Sequence, residues 1–129
     1  MALVPTLTLN DTTTFSDIIN FSVTDSLTTA APAQALSLET VTTTGGNHII
    51  IPAATAVAYL FVRHTGTTDG STGTAQILKV ENTDNEAFAG LGAGEFMFIP
   101  FNHAGASVGV QLEAASGNIQ VEYAYWTKG

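Results

Sequence analysis

His48, His64 and His103 are the residues of this chain whose type best suits a metal ion, because imidazole nitrogen is the commonest side-chain ligand for transition metals. Their spacing does not make a site. No two fall at a ligand-like interval and each adjoins a turn, so all three read as surface or loop histidines. The run "DGSTGT" from Asp69 begins like a calcium loop, yet Ser71 and Gly73 stand where further oxygen ligands belong and no carboxylate follows before Glu81. It reads as a flexible hairpin tip. Glu81, Glu95, Glu113 and Glu122 could meet in space as a glycosidase acid–base pair, but they occupy polar strand faces or strand ends, where solvated carboxylates are the expectation. "GLGAG" from Gly90 is glycine-rich like a phosphate loop but lacks the lysine and the following helix, and so reads as a turn. With no nucleophile-elbow pattern and no cysteine, neither an enzyme, a cofactor nor a metal is expected.

Four aromatic residues, Tyr59, Tyr123, Tyr125 and Trp126, could build a sugar-stacking platform. Tyr123 and Tyr125 alternate in phase with Ile119 and Val121, which places them in a core. Trp126 falls on the other face with Glu122 and Ala124. It is expected to anchor an interface first and to stack on a ligand second, since tryptophan is favoured in both roles.

The chemistry is sparse because the composition is. Only 11% of the 129 residues are charged while 45% are hydrophobic, and Arg63, Lys79 and Lys128 face eleven carboxylates for a net charge of -8 and a pI near 4.4. Three scattered cations cannot neutralise a phosphate backbone, so direct nucleic-acid binding is not expected. The first residues lack a basic segment followed by an apolar run, and no stretch approaches the roughly 20 apolar residues of a membrane span. Neither conventional secretion nor membrane insertion is expected.

Threonine sets the fold class. Its 20 copies suit the wet faces of strands, because β-branching fits a pleated surface and disfavours a helix. Leu3, Pro5, Leu7 and Leu9 alternate in an edge strand or extended arm, where Pro5 can go without a ladder hydrogen bond. Ile19, Phe21, Val23 and Leu27 share a face next. Strands are expected from Leu36, at "HIIIP", at "VAYLFVRH" as a central strand apolar on both sides, and at "QILKVEN", "EFMFIPF", "SVGVQLE" and "IQVEYAYW". The expectation is an all-β, jelly-roll-like β-sandwich of about 8–10 short antiparallel strands. An extended N-terminal arm (residues 1–16) precedes a single domain (residues 17–129).

The run "EFMFIPF" is apolar on both faces, with Phe96 and Phe98 on one and Met97, Ile99 and Phe101 on the other. One side can fill a sandwich core; the other needs cover, since an exposed row of large side chains invites aggregation. Met97, Ile99 and Phe101 are expected to meet another copy.

The arm, "DIINFSVTDSLTTAAP", "AYLFVRHTG", "LGAGEFMFIPFNH" and the closing "VEYAYW" together resemble small all-β virion proteins of tailed bacteriophages, particularly those of marine and cyanobacterial hosts. The resemblance spans most of Phe15 to Trp126. It implies a capsid decoration (cement) protein, a homo-oligomer and most often a trimer, made in the host cytoplasm and carried on the capsid exterior against the major capsid protein. Interface candidates on this reading are Leu3, Pro5, Leu7, Leu9, Met97, Ile99, Phe101 and Trp126, with the arm adding a strand to a neighbour. A tail, neck or fibre component is the alternative within a particle; a glycan-binding β-sandwich using Trp126 and the "TGTTDGSTGT" loop is the alternative outside one.

Overall fold

Short runs of alternating apolar and polar residues, with threonine on the wet faces, become strands throughout the described part of the chain. The computed structural model describes residues 1–11, 20–43, 48–53, 57–102 and 108–129. In chain order the strands are β1 (Ala2–Leu3), β2 (Thr6–Asn10), β3 (Asn20–Thr24), β4 (Leu27–Val41), β5 (His48–Ile51), β6 (Val57–His64), β7 (Leu78–Asn82), β8 (Ala87–Leu91), β9 (Phe96–Asn102), β10 (Val110–Ala114) and β11 (Ile119–Lys128).

The pairing of β4 to β11 is nested. β4 pairs with β11, β5 with β10, β6 with β9 and β7 with β8, all antiparallel. β11 also pairs with β6, and β10 with β7. These second pairings roll the ribbon into two sheets, in the orders β1-β4-β11-β6-β9 and β5-β10-β7-β8. First strand with last, second with second-last and so inward is the jelly-roll pattern.

Between the sheets lie Leu60 and Val62 of β6, Leu78 and Val80 of β7, Leu112 of β10 and Val121 of β11, all fully buried. Each such side chain contributes about 1.5–3 kcal/mol relative to exposure. Gly109 enters β10 where a β-carbon would overlap the Ile51 carbonyl oxygen. Glycine alone fits this approach of two backbones.

β4 starts nine residues before the strand expected from Leu36. It runs through Pro32 because its register with β11 shifts there: Trp126 faces Ala33 while Thr127 faces Ala30. Ala31 and Pro32 thus have no opposite residue, and a bulge tolerates the missing N–H. A strand at Ala87–Leu91 was not expected, since its "AFAGL" holds little β-favouring bulk.

The N-terminal segment pairs within its own chain. β1 adds to the edge of the larger sheet through Ala2 opposite Thr28 and Leu3 opposite Leu27. β2 pairs with β3 to form a separate two-stranded ribbon. The expected boundary at 16/17 lies in residues 12–19, outside the described residues, and β2 from one side of it joins β3 from the other.

Candidate interaction surface

Side-chain alternation gives the larger sheet one face on the core and one facing away. On β6, Ala58, Leu60, Val62 and His64 are buried, so Tyr59, Phe61 and Arg63 point outward. Register fixes what β9 adds. Ala58, Leu60 and Val62 stand opposite Phe101, Ile99 and Met97, whereas Tyr59, Phe61 and Arg63 stand opposite Pro100, Phe98 and Phe96. Met97, Ile99 and Phe101 accordingly pack, half-buried, against this chain's own core. The expectation that they face another copy is corrected: the outward row from this strand is Phe96, Phe98 and Pro100.

That outer face is aromatic. The Phe61 and Phe96 rings lie 6.5 Å apart, Trp126 stands opposite Tyr59, and the Lys128 ammonium sits 5.2 Å from the Tyr59 ring centroid as a cation–π contact. Arg63 donates to Glu122 at 3.2 Å on the same face. Phe96 is 62% exposed, and Leu36 and Leu38 of β4 are 63% and 59% exposed.

The chain's start covers part of it. Leu3, half-buried, shares a groove with Trp126, Ala33 and Ala35. Pro5 and Leu7 border a cavity of about 370 Å³ with Phe96 and Phe98. Leu9 lies further along the ribbon, exposed. Of the expected interface residues, the structure brings Leu3 to Trp126 and Pro5 and Leu7 to β9.

The ribbon itself is amphipathic. Leu7 stands opposite Val23 and Leu9 opposite Phe21, an apolar stripe of four side chains that stay 44 to 54% exposed. The other side carries hydroxyl pairs, Thr6 with Thr24 at 2.8 Å and Thr8 donating to Ser22 at 3.1 Å. Sequence reasoning put Phe21 and Val23 on one face but did not join them to Leu7 and Leu9. The matching period-2 patterns either side of residues 11–19 were the signal.

The groups considered for chemistry are engaged structurally. His64 is wholly buried, which corrects its reading as a surface or loop residue. Its Nδ1 accepts from the Gly66 N–H at 2.9 Å, so the proton sits on Nε2, which donates to the Gln76 carbonyl at 2.9 Å. His48, half-buried, pairs through Nδ1 with Glu39 Oε1 at 2.7 Å, linking β5 to β4. His103 lies outside the described residues. Glu81 is also buried, against expectation, and accepts from the Gln111 amide at 3.1 Å. Glu113 takes Lys79 at 3.1 Å, and Glu95 accepts the Gly92 N–H at 2.6 Å. Burial, then the Glu39 charge, raises the Tyr123 phenol above its ordinary pKa.

The Asp69 loop is hydrogen-bonded rather than a loose tip. Asp69 accepts the backbone N–H groups of Thr72 and Ser71 and both of their hydroxyls, which lowers its pKa to about 2. Thr68 and Gln120 close the loop through backbone bonds to Thr72 and Thr67. The carboxylate is committed to its own turn. Among the described residues no three His, Cys, Asp or Glu side chains gather as a metal site.

Compared with family models, with curated proteins and with solved structures, the chain matches none.

Proposed function

We propose that this protein is a non-enzymatic structural component of a bacteriophage particle, a homo-oligomeric decoration protein seated on the capsid exterior against the major capsid protein. Jelly rolls serve capsids and lectins alike, so fold alone chooses no function. The observation that carries the reading is the apolar surface: an aromatic outer sheet face and a ribbon whose stripe of Leu7, Leu9, Phe21 and Val23 stays about half exposed. An isolated two-stranded ribbon is marginal in water. It gains its stability in an assembly.

The mechanism on this reading is adhesion. Several modest apolar contacts, repeated by each copy of an oligomer, add as avidity and reinforce a shell beyond the strength of any one of them. A glycan-binding role is less well supported, because Trp126, its stacking ring, already shares a groove with Leu3.

Purified protein added to capsids that lack it, followed by sedimentation and a heat challenge, tests the proposal. Saturable binding that raises the temperature of capsid rupture is the expected result. Protein that stays in the supernatant at every concentration overturns it. Antibody labelling of whole particles separates a capsid position from a tail, neck or fibre position.

A further inference from the structure

The groove where the ribbon meets β9 joins apolar walls to one carboxylate. Pro5, Leu7, Val23 and Phe98 line a cavity of about 200 Å³, and Asp25 lines it with them. The neighbouring grooves at Trp126 and at Phe96 hold no charged side chain. We infer that the Asp25 groove takes an arginine side chain of a partner polypeptide, with its guanidinium against Asp25 and its methylene stem over Phe98. This goes beyond the function proposed above and does not rest on it, because every group it uses belongs to this chain.

Charge selects a cation, and one from outside the chain. Each of the three basic side chains is engaged elsewhere: Arg63 with Glu122, Lys79 with Glu113, and Lys128 over the Tyr59 ring. Asp25 Oδ1 accepts the Ser26 N–H of its own turn at 2.7 Å. Among the described residues no cation pairs with either of its oxygens. A net charge of -8 draws cations towards the protein, and this carboxylate is placed to receive one.

The walls select which cation. Phe98 is held in place by its stack on Tyr59, with ring centroids 6.3 Å apart. The same aromatic row already carries a cation, the Lys128 ammonium 5.2 Å from the Tyr59 centroid. A guanidinium is flat and weakly hydrated, so it can lie along a ring while its N–H groups aim at a carboxylate; an ammonium is compact and strongly hydrated. The arginine stem covers apolar surface of the kind that Pro5, Leu7 and Val23 present. Carboxylate and wall are also tied together, since the Asp25 N–H donates to the Pro5 carbonyl at 3.2 Å.

NMR titration of the isotope-labelled full chain with N-acetyl-arginine amide tests the inference. Saturable shifts of the Leu7, Val23, Asp25 and Ser26 amide signals are expected in the millimolar range. N-acetyl-citrulline amide, which keeps the shape without the charge, and N-acetyl-leucine amide should leave those signals in place, and N-acetyl-lysine amide should bind more weakly than the arginine probe. Asp25→Asn keeps an oxygen for the Ser26 N–H and should weaken arginine binding about fivefold, the upper range for an exposed ion pair. Phe98→Leu should remove the preference for arginine over lysine, and the amide fingerprint checks that both variants are folded. The inference is overturned by a titration without saturable shifts, by citrulline, leucine or lysine binding as well as arginine, by unchanged binding in Asp25→Asn, or by shifts confined to other carboxylates such as Asp84. Capsid binding is scored separately: protein that takes arginine but ignores capsids keeps the groove and loses the decoration role, and protein that binds capsids but not arginine does the reverse.

Discussion

Tyr59 and Phe98 stack with ring centroids 6.3 Å apart and planes 11° from parallel, although Tyr59 stands opposite Pro100 and Phe98 opposite Phe61. The contact is therefore diagonal. Proline offers Tyr59 no aromatic partner straight across, and strand twist brings the neighbouring ring over it. A double-mutant cycle with Tyr59→Ala and Phe98→Ala should give a coupling of about 0.5–1.5 kcal/mol in urea denaturation. Additive losses would mean that the two rings only share a face.

His64 is used as a spacer between two backbone segments. Replacing it with leucine keeps the bulk but strands the Gly66 N–H and the Gln76 carbonyl, each at about 1–3 kcal/mol if left unpaired and buried. The expected loss for His64→Leu is roughly 2–4 kcal/mol in the same assay. A neutral result would show that water replaces both bonds.

The Asp69 loop should respond to acid in a defined direction. Its folded-state pKa of about 2 lies below the ordinary 3.8, so its contribution to loop order is fully present above the ordinary value and disappears as the pH falls through the folded one. NMR titration should show the Thr72 and Ser71 amide signals moving near pH 2. In Asp69→Ala the same amides should exchange with solvent faster at neutral pH. Movement centred near 3.8 would contradict the bonding described.

Gly109→Ala should be among the most damaging single changes. The added carbon meets backbone, not a side chain that could swing away, so β10 and the segment after Ile51 must separate. A loss of about 3 kcal/mol or more is expected, read as a lowered denaturation midpoint or loss of soluble protein. A wild-type midpoint would show that the two segments part easily.

What the sequence made legible follows from periodicity. Ile119, Val121 and Tyr125 alternate cleanly and sit on the core, and "VAYLFVRH", apolar on both sides, is an interior strand between β11 and β9. Periodicity could not say which face of "EFMFIPF" is the inner one, because both are apolar. Register with β6 decides that, and register is a property of the pair. Pro32 hid the first half of β4, since a bulge that excuses a proline is invisible until the partner strand is known. Buried His64 and Glu81 were misread for a related reason. Each is satisfied by groups distant in sequence or by irregular backbone, Gln76 and Gly66 for one and Gln111 for the other.

Two neighbouring residues of β4 receive both ends of the chain: the Thr29 N–H donates to the Met1 carbonyl, and the Gly129 N–H donates to the Thr28 carbonyl, each at 2.9 Å. Entry and exit thus flank β4 on opposite sides, two strand spacings apart, roughly 10 Å. The roll has the layout of a plug-in cassette. It can be grafted into a surface loop of a host protein whose ends are about two strand spacings apart, or have its ends joined by a short linker across β4 and be reopened in the β7–β8 turn, without unthreading any strand.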